Sequence, residues 1–101
     1  MPCIRADNRR LALVEALRVQ ALVALRQERW AEAARALAEG LRVAREIGYP
    51  YAEARLLHVF GLLRVQTGPP NEARERLQAA LTILRRLGAR GEAAQVEQAL
   101  G

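Results

Sequence analysis

Few side chains in this sequence could carry out a reaction. The 101 residues include one cysteine, Cys3, one histidine, His58, and one aspartate, Asp7, with neither serine nor lysine. A nucleophile needs a base within hydrogen-bond reach and a third group to orient that base. Cys3 with His58 is the one pairing of suitable types, and Cys3 stands near the N-terminus in an expected tail. One histidine and one cysteine fall short of a zinc ligand set. Gly88 and Gly91 have no lysine beside them to complete a phosphate-binding loop. Ten glutamates remain for acid–base work. Glu15/Arg18, Glu32/Arg35, Glu39/Arg42 and Glu72/Arg76 have the spacing of solvated pairs on one helix face, each worth about 0.2–0.5 kcal/mol. The residue types point to no catalytic, cofactor or metal site, and so to a protein that acts through what its surface binds.

The elements that must position such a surface are helical. Alanine, leucine and arginine dominate, aromatics are 4%, and 51% of residues are apolar. Alanine and leucine are strong helix formers. Glycine and proline cut the chain into five pieces. Asp7 and Asn8 cap a first helix running to about Glu28. A second runs from near Trp30 to Gly48 and a third from about Tyr51 to Thr67. After the turn at Gly68-Pro69-Pro70, Asn71 caps a fourth helix ending at Gly88. The fifth covers about Gly91 to Leu100. Connections this short make successive helices antiparallel neighbours. Arginines interrupt any apolar N-terminal run, and no stretch approaches the ~20 apolar residues of a membrane span. With a single cysteine, a reducing cytoplasmic location is expected.

Shifting the sequence by 40 residues aligns 11–50 with 51–90 without a gap. Ten positions are identical, among them Leu17/Leu57, Leu22/Leu62, Ala33/Ala73, Leu37/Leu77, Leu41/Leu81 and Gly48/Gly88. Val23/Leu63, Val43/Ile83 and Ile47/Leu87 are conservative pairs, and both helix breaks coincide. Two helical hairpins, 7–48 and 50–88, are therefore expected, followed by a half-repeat or capping helix over 90–101, all within one domain.

In these residues the sequence resembles the tetratricopeptide repeat family, whose motif spaces large and small residues across a helical hairpin. The second unit matches with Leu57, Phe60-Gly61, Ala73, Leu77 and Ala80-Leu81. The first matches with Leu17, Ala21, Trp30, Ala33, Leu37 and Gly40-Leu41. The family's first-helix tyrosine is replaced by Ala24 and Arg64, and its closing proline is absent. The 40-residue period is longer than the usual 34, and is similar to the long-helix variant of large bacterial ATP-dependent transcription activators and signalling scaffolds. The resemblance implies an all-α solenoid fragment of about five helices. Leu17, Ala21, Trp30, Ala33, Leu37, Leu57, Gly61, Ala73, Leu77 and Ala80 would pack the repeats, with small residues letting backbones approach. Phe60 is expected in the core, and Tyr49 and Tyr51 are expected to staple the turn between repeats.

The resemblance also implies that the concave face binds protein or peptide partners. That face would carry Arg18, Leu22 and Leu25, then Arg55, His58, Leu62 and Val65, with Glu15 beside them and Gln95 and Gln98 following. Such a mixed basic and apolar groove suits an acidic or amphipathic segment. The formal charge of +5, with Arg9-Arg10 and with Arg85-Arg86 near Arg90, keeps nucleic-acid binding as the weaker alternative. The ends of the array add one expectation. The fifth helix has an apolar stripe of Ala93, Val96 and Leu100 with glutamine and glutamate opposite, as a cap should. In the first helix Leu11, Leu13, Val14, Leu17, Val19, Leu22, Val23 and Leu25 spread around most of the circumference. Such a helix requires partners on more than one side, which points to self-association or to an adjoining domain.

Overall fold

The computed structural model describes residues 2–68 and 70–100, with side chains from Arg9 onward. Five helices follow one another: α1 (Pro2–Arg26), α2 (Trp30–Ile47), α3 (Pro50–Thr67), α4 (Pro70–Leu87) and α5 (Arg90–Leu100). No strand occurs among the described residues.

Two starts differ from the sequence expectation. Asp7 and Asn8 lie inside α1 instead of capping it, and Asn71 is the second residue of α4. In both cases the helix opens on a proline, as α3 does at Pro50. Proline carries a helical φ already and lacks the N–H that a first turn leaves unsatisfied, so it starts a helix without a side-chain cap. Cys3 accordingly sits in helical backbone and not in a tail, and its side chain is outside the described residues.

The helix ends repeat one device. Gly48 and Gly88 both take φ +74°. Gly48 N–H bonds the Arg45 carbonyl at 3.2 Å while Tyr49 N–H reaches Ala44 at 3.2 Å. Gly88 bonds Arg85 at 3.1 Å, and Ala89 bonds Leu84 at 2.9 Å. These paired bonds satisfy the last carbonyls of α2 and α4 and require a left-handed residue. Glu28 fills the same role after α1 with φ +61°, its N–H on Leu25 at 3.2 Å and that of Arg29 on Ala24 at 2.8 Å. The glycine at the equivalent place in the second hairpin, Gly68, is extended instead, at φ −123° and ψ −177°. It precedes Pro69, whose ring pushes the preceding residue out of helical space. A side chain in the left-handed region costs about 1–2 kcal/mol. Gly48→Ala and Gly88→Ala should therefore each lower stability by about 1 kcal/mol, and Glu28→Gly should raise it by a similar amount. Urea denaturation of the three variants checks both signs.

α1 pairs with α2 and α3 with α4 as antiparallel hairpins; α3 stacks on α2 and touches α1, and α5 closes on α4. The molecule measures 44 × 31 × 18 Å. The shortest dimension is close to two helix diameters of about 10 Å each, so the helices form two layers. Leu37, Leu56, Leu63, Leu77, Leu84 and Val96 are fully buried. Between them Ala21, Ala33, Ala44, Ala54 and Ala80 have no exposed surface, which lets helix backbones come close. Of the remaining packing positions, Leu57 and Ala73 are buried, Gly61 lies against Leu77, and Leu17 and Trp30 are half-buried at the core's edge.

Candidate protein-binding groove

α1, α3 and α5 lie in order along one face because each is offset from the last by one repeat. Between them is an open hollow of about 370 Å³. Its walls are Arg18 and Leu22 from α1, Arg55, His58 and Leu62 from α3, and Gln95 from α5, joined by Tyr51, Val59, Leu84 and Glu92.

Five of the seven expected contact residues thus meet: Arg18, Leu22, Arg55, His58 and Leu62. Leu25 and Val65 do not. Leu25 is half-buried against the core. Val65, 56% exposed, borders a separate hollow with Gly68, Pro70 and Leu100. Both stand one turn further along their helices than Leu22 and Leu62, outside the lining of the hollow. Tyr51, Val59, Leu84 and Glu92 were not anticipated. The spacing 51, 55, 58, 62 places Tyr51 on the face that carries Arg55 and His58, and that signal would have found it. The role expected of Tyr51 as a staple is only part of what it does. Its ring meets Tyr49 edge-on at 6.3 Å, and its hydroxyl also donates to Glu92 at 2.7 Å.

A continuous polar chain crosses the groove. Arg18 pairs with Glu15 on α1. Arg55 of α3 donates to the same carboxylate at 3.4 Å and lies 5.6 Å over the Tyr51 ring. Tyr51 hands the chain to Glu92 on α5. The hydrogen bond from Arg18 holds the Glu15 carboxyl below its ordinary range, against partial desolvation, and the charges of Arg18 and Arg55 add to it. The bond to Glu92 raises the Tyr51 hydroxyl, because that donor would be lost on ionisation. His58 is shifted down from 6.5 by burial, opposed by the charge of Glu92. The unfolded chain therefore binds more protons than the folded one just below pH 6.5, so this histidine's contribution is present above that pH and lost as pH falls. Replacing it in His58→Gln should flatten the fall in urea stability between pH 6.5 and pH 5, leaving the pH 8 value nearly unchanged.

Elsewhere the arginines are committed otherwise than their spacing suggests. Glu39 pairs with Arg42 as expected, but Glu32 pairs with Arg29, and Arg76 stacks 4.6 Å over Phe60 instead of meeting Glu72. Arg64 lies over the same ring at 5.2 Å, so two guanidiniums share one buried aromatic ring. Of the arginines weighed for nucleic acid, Arg85 bonds Glu97 at 2.9 Å and Arg10 bonds Glu46 at 2.9 Å, at opposite ends of the array. Among the described residues, no group of three or more histidine, cysteine or acidic side chains could hold a metal ion, and no helix is long and apolar enough to cross a membrane.

Helical hairpins stacked at a fixed period, with a groove along the first helices, define a helical repeat protein whose class mediates protein–protein interaction. The tetratricopeptide repeat family model matches residues 10–86, and the chain belongs to that family. No curated protein and no solved structure matches it.

Proposed function

We propose that this chain is a protein-interaction module without catalytic activity that holds one amphipathic, carboxylate-bearing protein segment in the groove. The observation that carries the reading is the convergence of three helices, one per repeat unit, on a hollow with Leu22, Val59 and Leu62 beside Arg18 and Arg55. The apolar groups bury one face of the segment. Its carboxylate competes with Glu15 for the two guanidiniums. The module comprises repeats 7–48 and 50–88 and a half-repeat 90–101. It works in the cytoplasm, and its 40-residue period fits the repeat region of a bacterial regulator. The first helix supplies a second contact, to another copy or to an adjoining domain.

The test compares partners captured by the natural chain and by Leu22→Glu/Leu62→Glu. Both leucines are only half-buried, so the variant should keep its helicity while losing its partners by about ten-fold or more in affinity, or about 1.4 kcal/mol. Glu15→Gln weakens the internal competitor and should tighten binding several-fold. A folded double variant that retains every partner would defeat the groove assignment.

A further inference from the structure

The groove differs in charge from one end to the other. Toward α1, Arg18 and Arg55 share a single carboxylate, Glu15, so two positive charges stand against one negative. Toward α5 stands Glu92, half-buried. Among the described residues the Tyr51 hydroxyl is its partner, at 2.7 Å, and no arginine pairs with it. His58 lines the same hollow and, held below 6.5 by burial, adds no charge at neutral pH. A carboxylate accepts at about four lone-pair sites, so one tyrosine leaves Glu92 mostly dependent on water.

Glu92 also departs from the repeat. A shift of 40 residues puts Ala52 and then Ala12 at its place, and Ala52 packs against the core. An acid in the first turn of α5 gains from the helix dipole, and the bond to Tyr51 ties α5 to α3. Glutamine would make that tie equally well, so the charge adds something beyond docking of the helix.

The charge matters once the groove is filled. Leu22, Val59, Leu62 and Leu84 line the hollow beside it, and a segment lying on them excludes water from Glu92 too. A carboxylate buried without a partner costs several kcal/mol. An occupant must therefore bring a donor to Glu92 as well as a carboxylate to Arg18 and Arg55. These two places belong to successive gaps, α1–α3 and α3–α5, one helix spacing of about 8–10 Å apart. That is about three residues of extended chain at about 3.3 Å each.

We propose, on the reading of this groove as a protein-binding site, that its ligand is a dipolar segment: an apolar stretch with a carboxylate at the α1 end and, about three residues away, a lysine or arginine that pairs with Glu92. Glu92 thereby sets which way round the segment lies and turns away purely acidic ones.

Three fluorescein-labelled 12-residue peptides test this. They share a leucine-rich sequence with one glutamate and differ three residues further on, where they carry lysine, methionine or a second glutamate. Anisotropy titrations of the full chain at neutral pH should rank them lysine, methionine, glutamate, with about ten-fold between the first two. Long-range attraction to a chain of net charge +5 would by itself give the opposite order. Glu92→Gln keeps an acceptor for Tyr51 and should leave the circular dichroism spectrum unchanged. It should lower affinity for the lysine peptide about ten-fold and leave that for the methionine peptide nearly as before. Leu22→Glu/Leu62→Glu should lose all three peptides. If that variant loses them but the lysine and methionine forms bind the natural chain equally, or Glu92→Gln leaves their difference intact, the dipolar assignment is overturned and the groove reading stands. Peptides that bind Leu22→Glu/Leu62→Glu as tightly as the natural chain, or binding of none, would overturn both.

Discussion

Gly61→Val should destabilise the domain by about 3 kcal/mol, the upper part of the range for overpacking a close-packed interior. For a chain of this size that is a fall in melting temperature of about 12 °C or more, readable by circular dichroism. The cause is local. A Cβ on Gly61 would lie 2.6 Å from both Cγ and Cδ2 of Leu77, and Leu77 is itself 1% exposed with no space to retreat into. Loss of glycine from a helix interior returns only a few tenths of a kcal/mol in this case, since valine is a modest helix former. Leu77→Ala alone removes a buried side chain and should cost about 2–5 kcal/mol. Combined, the two changes should cost less than their sum by more than about 1 kcal/mol, because the valine occupies the space the leucine leaves. Strict additivity, or an unchanged melting point for Gly61→Val, would contradict the packing described. Gly40→Ala is the contrast. Its Cβ meets the methyl ends of Leu56 at 3.0 and 3.3 Å, so that buried side chain has to shift by only a few tenths of an ångström, and the gain of about 1 kcal/mol in helix propensity should offset that crowding.

Val96→Asp should detach α5 while the two hairpins remain folded. Val96 is fully buried, and an unpaired carboxylate there costs several kcal/mol. α5 has 11 residues, short of the ~12–15 at which an isolated helix becomes even marginally stable in water. Its helicity depends on docking, so undocking and unwinding occur together. Hydrogen exchange should show residues 90–100 exchanging as unstructured chain, with α1 to α3 still protected. The groove would lose Glu92 and Gln95, and Tyr51 its acceptor, so affinity for the groove's ligand should fall as well. A single cooperative loss of protection across the chain, or α5 amides as slow as before, would show that the last helix is not an independent cap.

Much of this was legible in the sequence because it is periodic. The 40-residue offset, the breaks at Gly48 and Gly88, and the alanines and leucines between them fix five helices and two hairpins. They do so through propensity, turn chemistry and an apolar pattern that act over a few residues. The first-helix face was legible in part. Arg18, Leu22, Arg55, His58 and Leu62 share it by spacing alone, whereas Leu25 and Val65 share the spacing and miss the hollow. Spacing gives a side chain's direction around a helix but not the level along the axis at which the hollow between neighbouring helices ends.

The residues themselves determined the helices, their order, the small-against-large packing and the poverty of reactive groups. Tertiary structure alone decided three things. Glu15 serves two arginines on different helices, and Arg76 leaves Glu72 for the Phe60 ring. Gly61 is pressed against Leu77, although Ala21 fits the equivalent place in the first hairpin with its side chain fully buried. The reason is common to all three. Each depends on distances of a few ångströms between residues far apart in the chain, set by how two helices settle on one another, and no local preference of either helix contains that distance.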